Sequence, residues 1–304
     1  MFWMAFFVSL ALTVVGELLR PKQKPANAQA SGLDEFDLPT AEEGRTIPAF
    51  FGKVKITGPN VTAYGDLESR ALTRKVKTGM FSSTRQTYAH QYYLGVQFSL
   101  AHGSDDTEIH EILFGDTPAK HTRTNEGNGV VRFDFNDKSL FGGDEKEGGI
   151  AGTLRFYSGH DVQPANEYFG TLIGETPPAY RGLCHAVAEK MYFGTSHYIK
   201  PVSFIVSRYP NTLGIAGGRH RIGDDSNPAA VIYEVMTNAV WGVGLSGSDI
   251  DQVAFRAVAD TLHAEGYGVS LLYNGQATAA DMIEDILRHV DGVVFSDPES
   301  GLVT

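Results

Sequence analysis

An adjacent pair of side chains in the sequence, Cys184 and His185, could perform covalent chemistry, with a thiol nucleophile beside a base. The pair falls within 183–193, where the residue pattern predicts a strand. Neighbouring residues on a strand point to opposite faces of the sheet, so this thiol and this imidazole cannot readily exchange a proton. We therefore expect a buried structural cysteine, no catalytic residue and no enzymatic activity.

Metal chemistry finds equally little support in the sequence. Asp134, Asn136 and Glu145 occupy the first, third and twelfth positions of a calcium-binding loop, but Lys138 replaces the fifth ligand and Ser139 replaces the required glycine. The ten histidines include no close His-x-x-x-His pair, and a single cysteine cannot form a Cys-x-x-Cys motif. We predict neither a metal site nor a cofactor site.

Composition limits the class of protein before any element is assigned. The 304 residues carry 25 Lys and Arg against 36 Asp and Glu, and the net charge of −11 argues against a generic nucleic-acid binder. With 42% apolar and 20% charged residues, the chain can bury a core. The 34 glycines, 18 phenylalanines and 13 tyrosines favour turn-rich β structure.

The N-terminal segment is strongly apolar. Residues 1–16 contain no charged side chain, and Arg20, Lys22 and Lys24 follow shortly after. A secretory signal carries its positive charges before the apolar run, so the order here does not favour one. We expect a hydrophobic helix over 1–20, which is marginally long enough to span a membrane or is buried by protein in a symmetric oligomer.

The pattern then predicts an extended linker over 21–45 and a β-rich region over 46–215, built as a barrel or a sandwich. Alternation of apolar and polar residues is clearest in 86–102. A basic cluster, Arg70, Arg74, Lys75 and Lys77, is expected to form a solvated face. Further strands are predicted at 52–57, 61–65, 109–114, 130–135, 152–157, 183–193 and 202–208.

Beyond residue 216 the hydrophobic period changes to that of helices, which predicts a smaller α+β module over 216–304. The turn chemistry of 296–301 lies between two apolar stretches, so we expect a hairpin that continues past Thr304. The predicted elements are helices over 229–241, from Ser248 to Gly266 and over 278–290, and strands over 268–273 and 292–296.

Several phrases in fixed order resemble one protein family, the central tail-hub proteins of long-tailed bacteriophages and gene transfer agents. This baseplate-hub or tail-tip host-specificity group is matched over roughly 46–304. The phrases are FFGKVKITGPNVTAYGD after Ile47-Pro48, ILFGDTPA at 112–119, PPAYRGLCHAVAEKMYFG at 177–194, FIVSRYP at 204–210, NPAAVIYEVMTNAVWGVGLS at 227–246 and the stretch from Asp249 to Gly292.

The resemblance implies a structural virion protein at the tail tip, with a tail-tube-like β-barrel or sandwich domain that lines a lumen. It implies a homotrimer that contacts a distal tail protein, the C-terminal end of the tape-measure protein and, through later domains, tail fibres or receptor-binding proteins. It also implies that DNA passes transiently through the lumen during ejection. No catalytic residue or cofactor comes with the resemblance. The alternative is a membrane-anchored envelope protein with a β-rich binding domain.

The apolar N-terminus has to hide its side chains from water, since each large one gains about 1.5–3 kcal/mol when fully buried. We expect the segment to plug the lumen, buried against its copies in the trimer or against the tape-measure end, with release into a host membrane during ejection as a further hypothesis. The side chains of this plug would be Phe2, Trp3, Phe6, Phe7, Leu10, Leu12 and Val14.

Overall fold

The computed structural model describes residues 27–35, 46–78, 82–275 and 277–304. The mainly β class is confirmed. The strands are β1 Ala49–Thr57, β2 Asn60–Lys77, β3 Ser83–His102, β4 Thr107–Phe114, β5 Thr117–Pro118, β6 His121–Gly127, β7 Val130–Asp137, β8 Ile150–Tyr157, β9 Leu183–Tyr192, β10 Val202–Arg208, β11 Arg221–Ile222, β12 Asp225–Ser226 and β13 Leu271–Tyr273. The α-helices are α1 Glu167–Ile173, α2 Pro228–Thr237, α3 Gln252–Glu265 and α4 Ala279–Val290.

Two antiparallel sheets pack face to face as a sandwich. One has six strands in the order β2-β3-β9-β8-β7-β6, and the other has five in the order β13-β1-β10-β4-β5. Within the described ranges neither sheet closes into a barrel, so the sandwich half of the expectation holds. Each sheet therefore keeps two edge strands.

Alternation along the strands builds the core between the sheets. On β3, Leu94, Val96 and Phe98 are all buried in this core, two residues apart as a pleated strand requires. Phe98 meets Phe204 of β10 across the core, with ring centroids 5.8 Å apart. The strands predicted from period-two patterning are therefore present because their apolar faces have an opposite sheet to pack against.

The helices α2, α3 and α4 surround a second core. Asn227 caps α2 by accepting a hydrogen bond from the Ala229 backbone N–H at 3.1 Å, and Pro228 occupies the first helical position as predicted. Gly266 ends α3 in the left-handed conformation, also as predicted. Thr278 and Asp281 form a reciprocal capping box at the start of α4.

Strand β1 joins the two cores. Phe50 is fully buried between the sheets, whereas Phe51 is fully buried among the helices. Strand β13 pairs with residues 49–51, so a strand from the C-terminal region completes the five-stranded sheet. Gly52 follows with φ +69°, and a Cβ there would lie 2.7 Å from the Val269 carbonyl oxygen, so only glycine fits this crossing.

A buried ion pair lies at the same junction. One Arg208 terminal nitrogen donates to Glu234 Oε1 at 2.7 Å, and both side chains are only 5% exposed. Thr212 Oγ1 donates to the other carboxylate oxygen at 3.0 Å, and Arg208 Nε donates to Ser104 Oγ at 2.9 Å. Because Arg208 ends β10 and Glu234 lies on α2, the pair ties the sandwich to the helices.

Several predicted boundaries are wrong: the strand predicted over 268–273 spans only Leu271–Tyr273, and two helix ends differ for local reasons. Helix α2 ends at Thr237 rather than 241, because the Asn238 side chain accepts hydrogen bonds from the backbone N–H groups two and three residues further on and so forms a turn. Helix α3 is capped by Asp251, and Ser248 lies in a 3₁₀ turn before it. The stretch 292–296 forms only an isolated bridge, from its last residue to Val303. The division at 215/216 stays a prediction.

Replacing Glu234 with Leu should reduce the free energy of unfolding by up to about 3–5 kcal/mol, because the buried charge of Arg208 would keep only the more distant and partly exposed Asp106, 3.5 Å from its Nε. The double variant Arg208→Met/Glu234→Leu removes both charges and should lose far less. Urea titration of the two variants checks the prediction. If the single variant is as stable as the double variant, the pair does not hold the junction.

Candidate assembly surfaces

The structure places Cys184 and His185 on opposite faces of β9, as the strand pattern predicts. Cys184 lies in the core between the sheets, and complete burial raises the pKa of its thiol far above the usual value. His185 stacks on Tyr157 on the other face, with ring centroids 4.5 Å apart and planes 4° apart. The two side chains therefore do not form a nucleophile and base.

The loop considered for calcium has a different role for its first residue. The Asp134 carboxylate accepts from Arg132 Nε at 2.9 Å and from Thr153 Oγ1 at 2.8 Å, so it stabilises the β7–β8 pairing. No cluster of three or more His, Cys, Asp or Glu side chains suited to a metal occurs in the described ranges.

The feature that most distinguishes this fold is a long hairpin extending from the six-stranded sheet. Strand β9 pairs with β3 only as far as Tyr93, whereas β2 and β3 stay paired out to Lys77 and Ser83. We call residues 68–77 and 83–93 the distal hairpin. At about 3.3 Å per residue, it extends roughly 30 Å beyond the third strand.

The base of the distal hairpin is anchored to the rest of the molecule, which we call the body. A bulge interrupts the pairing between Gly65 and Glu68, and within it Asp66 adopts φ 52°. The Asp66 carboxylate accepts from Lys190 Nζ at 3.0 Å and from Tyr168 Oη at 3.1 Å. Strand β9 and helix α1 thus fix the direction in which the hairpin leaves the sheet.

Charge is distributed unevenly between the hairpin and the rest of the chain. Residues 69–92 contain five Lys and Arg and no Asp or Glu, which leaves 20 basic against 36 acidic residues elsewhere. The basic cluster that was predicted to form a solvated face lies on strand β2. Two of its guanidinium groups pack over tyrosine rings of β3, Arg70 over Tyr93 at 4.2 Å and Arg74 over Tyr88 at 5.5 Å. The hairpin is a basic projection from an acidic body.

Sequence reasoning assigned only 61–65 of β2 and missed the rest of the strand. Its charged residues hide the period-two signal, because neither face of the hairpin is deeply buried. The sequence analysis also missed the exposed edge strand β6, the short helix α1 and the two-residue strands β5, β11 and β12. The absence of acidic residues over 69–92 is the signal that could have marked the segment as a unit.

A network of ion pairs covers the outer face of the six-stranded sheet. Arg155 donates to Glu126 through Nε at 2.8 Å and pairs with Glu189 through a terminal nitrogen. Asn166, which caps α1, donates to Glu189 at 3.0 Å and to Tyr157 Oη at 2.9 Å. These groups line a cleft of about 490 Å³ and are hydrogen-bonded and ion-paired to one another, and these contacts hold α1 against the sheet.

The seven side chains expected to plug the lumen lie outside the described residues, and that expectation stays a prediction. They are Phe2, Trp3, Phe6, Phe7, Leu10, Leu12 and Val14. None of the helices in the described part of the chain combines the length and apolar character that crossing a bilayer requires.

Comparisons with known proteins give little further information. No protein-family model matches the sequence, and no curated protein matches it. Among solved structures, a chain from "Virion of native gene transfer agent (GTA) particle" is similar at 15% identity with a TM-score of 0.38. The similarity covers 93% of this chain and 59% of that one, so this chain spans less than two thirds of its length. A similarity of this degree is too low to assign a function.

The buried thiol should be inert. Cys184→Ser should lower stability by about 1–3 kcal/mol, because a hydroxyl replaces the thiol in an apolar site, and should leave assembly with other chains unchanged. A thiol reagent should label native Cys184 only after unfolding, whereas an engineered Val253→Cys, at an exposed position, should react at once. Rapid labelling of native Cys184 would show an unrecognised reactive site.

His185 should make stability fall in acid. Burial lowers its pKa to about 4, whereas the unfolded chain titrates near 6.5, so the unfolded state binds the proton more readily. Its contribution is therefore complete above pH about 6.5 and is lost as the pH falls toward 4. His185→Phe, which keeps a ring against Tyr157, should flatten this fall in urea titrations, and the exposed control His197→Gln should not. Equal slopes for all three proteins would contradict the assignment.

Proposed function

We propose that this protein is a structural virion protein of a long-tailed phage or gene transfer agent, and that it forms the hub at the tail tip. The observation that carries the proposal is the distal hairpin. Two strands alone are at best marginally stable in water, and among the described residues β2 is the edge strand of its sheet. A chain with this projection is suited to an assembly in which neighbouring subunits cover it.

The positions of the family-like phrases support the same proposal. The phrase at 50–66 contains Gly52 and reaches the base of the hairpin, the phrase at 204–210 contains Arg208, and the phrase at 227–246 contains Glu234. Three of the six phrases therefore contain residues that join the two cores. Phrases at these positions are expected if the joint arrangement of sandwich and helices is part of what the family shares.

Charge supports assembly with copies of the same chain. The basic hairpin of one copy meets a neighbour whose remaining surface is acidic, and complementary charge fixes the register of such contacts. In the proposed homotrimer, acidic lumen walls repel duplex phosphate, so DNA slides past without binding. The distal tail protein, the tape-measure end and receptor-binding fibres are the proposed partners at other surfaces, at the tail tip or baseplate of the virion.

The wild-type chain should sediment as a trimer, and the charge reversal Arg74→Glu/Lys75→Glu/Lys77→Glu should convert it to monomers without changing the melting temperature of the body. The matched control Lys55→Glu/Lys120→Glu/Lys138→Glu makes the same charge change on exposed lysines of the sandwich and should stay trimeric. Sedimentation equilibrium distinguishes these states. A wild-type protein that is monomeric at every concentration, or a trimeric hairpin variant, would contradict the proposal.

A further inference from the structure

An apolar groove of about 230 Å³ lies on the helical module, by which we mean helices α2, α3 and α4 and the segments that join them. Helices α2, α3 and α4 and the segment 292–294 form its walls, through side chains that include Ile232, Val258 and Leu287. Val258 remains 51% exposed at the groove, and Val293 is 79% exposed beside it. Exposed apolar surface of this kind, concentrated in a concave site, is typical of a surface that another segment covers.

The region of the chain that carries the groove is strongly acidic. Residues 216–304 contain 13 Asp and Glu against four Lys and Arg, so this region carries most of the net charge of the chain. The four basic side chains already have partners: Arg219 pairs with Asp260, Arg221 with Asp224 and Arg288 with Glu284, and Arg256 donates to Gln252. A segment that binds here therefore combines apolar side chains with positive charge.

The sequence contains a segment with that chemistry. Residues 2–16 are almost entirely apolar and uncharged, and Arg20, Lys22 and Lys24 follow against a single acidic residue, Glu17. We propose that the groove binds residues 2–24 of this same protein, from its own or a neighbouring copy. The apolar side chains enter the groove, and the basic residues lie against the acidic rim.

This inference is independent of the hub proposal, since it concerns only where the N-terminal segment is bound. It also differs from the lumen plug, in which N-terminal segments of several copies pack against one another. The two arrangements place Leu10 beside different partners, either Val258 of the groove or Leu10 of another copy.

Crosslinking in the full-length chain separates these arrangements. The variant Leu10→Cys/Val258→Cys is treated with a short bismaleimide and compared with Leu10→Cys/Val253→Cys. Val253 is the matched control, because it lies on the same helix and is exposed but does not line the groove. Native Cys184 is buried and contributes no background.

The proposal expects at least tenfold more crosslink at position 258 than at position 253. The yield should fall at least threefold when Arg20, Lys22 and Lys24 are replaced by Glu, and also in high salt. Mixing tagged and untagged chains shows whether the segment comes from the same copy. Equal yields at the two positions, a predominance of products that join position 10 of one chain to position 10 of another, or no crosslink at all would overturn the proposal.

Discussion

Strand β1 places Phe50 in the core between the sheets and Phe51 in the core of the helical module, so this one strand is packed on both of its faces. Separating the helices from the sandwich would expose the fully buried Phe51, break the pairing of β1 with β13 and break the Arg208–Glu234 ion pair. The sandwich and the helices consequently behave as one body. The position of the distal hairpin relative to the apolar groove depends on this junction.

The junction gives the molecule two surfaces of opposite chemistry in a fixed relation. The distal hairpin is basic and has few buried contacts, whereas the helical module is acidic and exposes apolar side chains. In the sandwich, Cys184 and His185 face apart on β9, and the charged side chains around Arg155 are paired with one another. Both surfaces are suited to binding other protein segments, which is the behaviour proposed for a hub subunit.

The sequence predicted well wherever local pattern and tertiary burial agree. The strands of the sandwich alternate visibly, and Asn227-Pro228 and Gly266 mark helix ends through backbone chemistry alone. Prediction from the sequence failed where an element is stabilised by residues distant in the sequence or by few buried contacts. The outer half of β2 is stabilised by its pairing with β3 rather than by burial, and 292–296 lacks a partner strand along its length within the described ranges. No local pattern could show that Phe50 and Phe51 serve different cores or that Arg208 meets Glu234.

We propose that this chain is a subunit of a particle's tail tip. Electron microscopy of particles labelled with gold through a tag inserted beside the exposed Val162 locates it. We expect label at the distal end of the tail, with up to three gold particles on each tip. Label along the whole tube, on the head, or on cell envelopes with none on particles would contradict it.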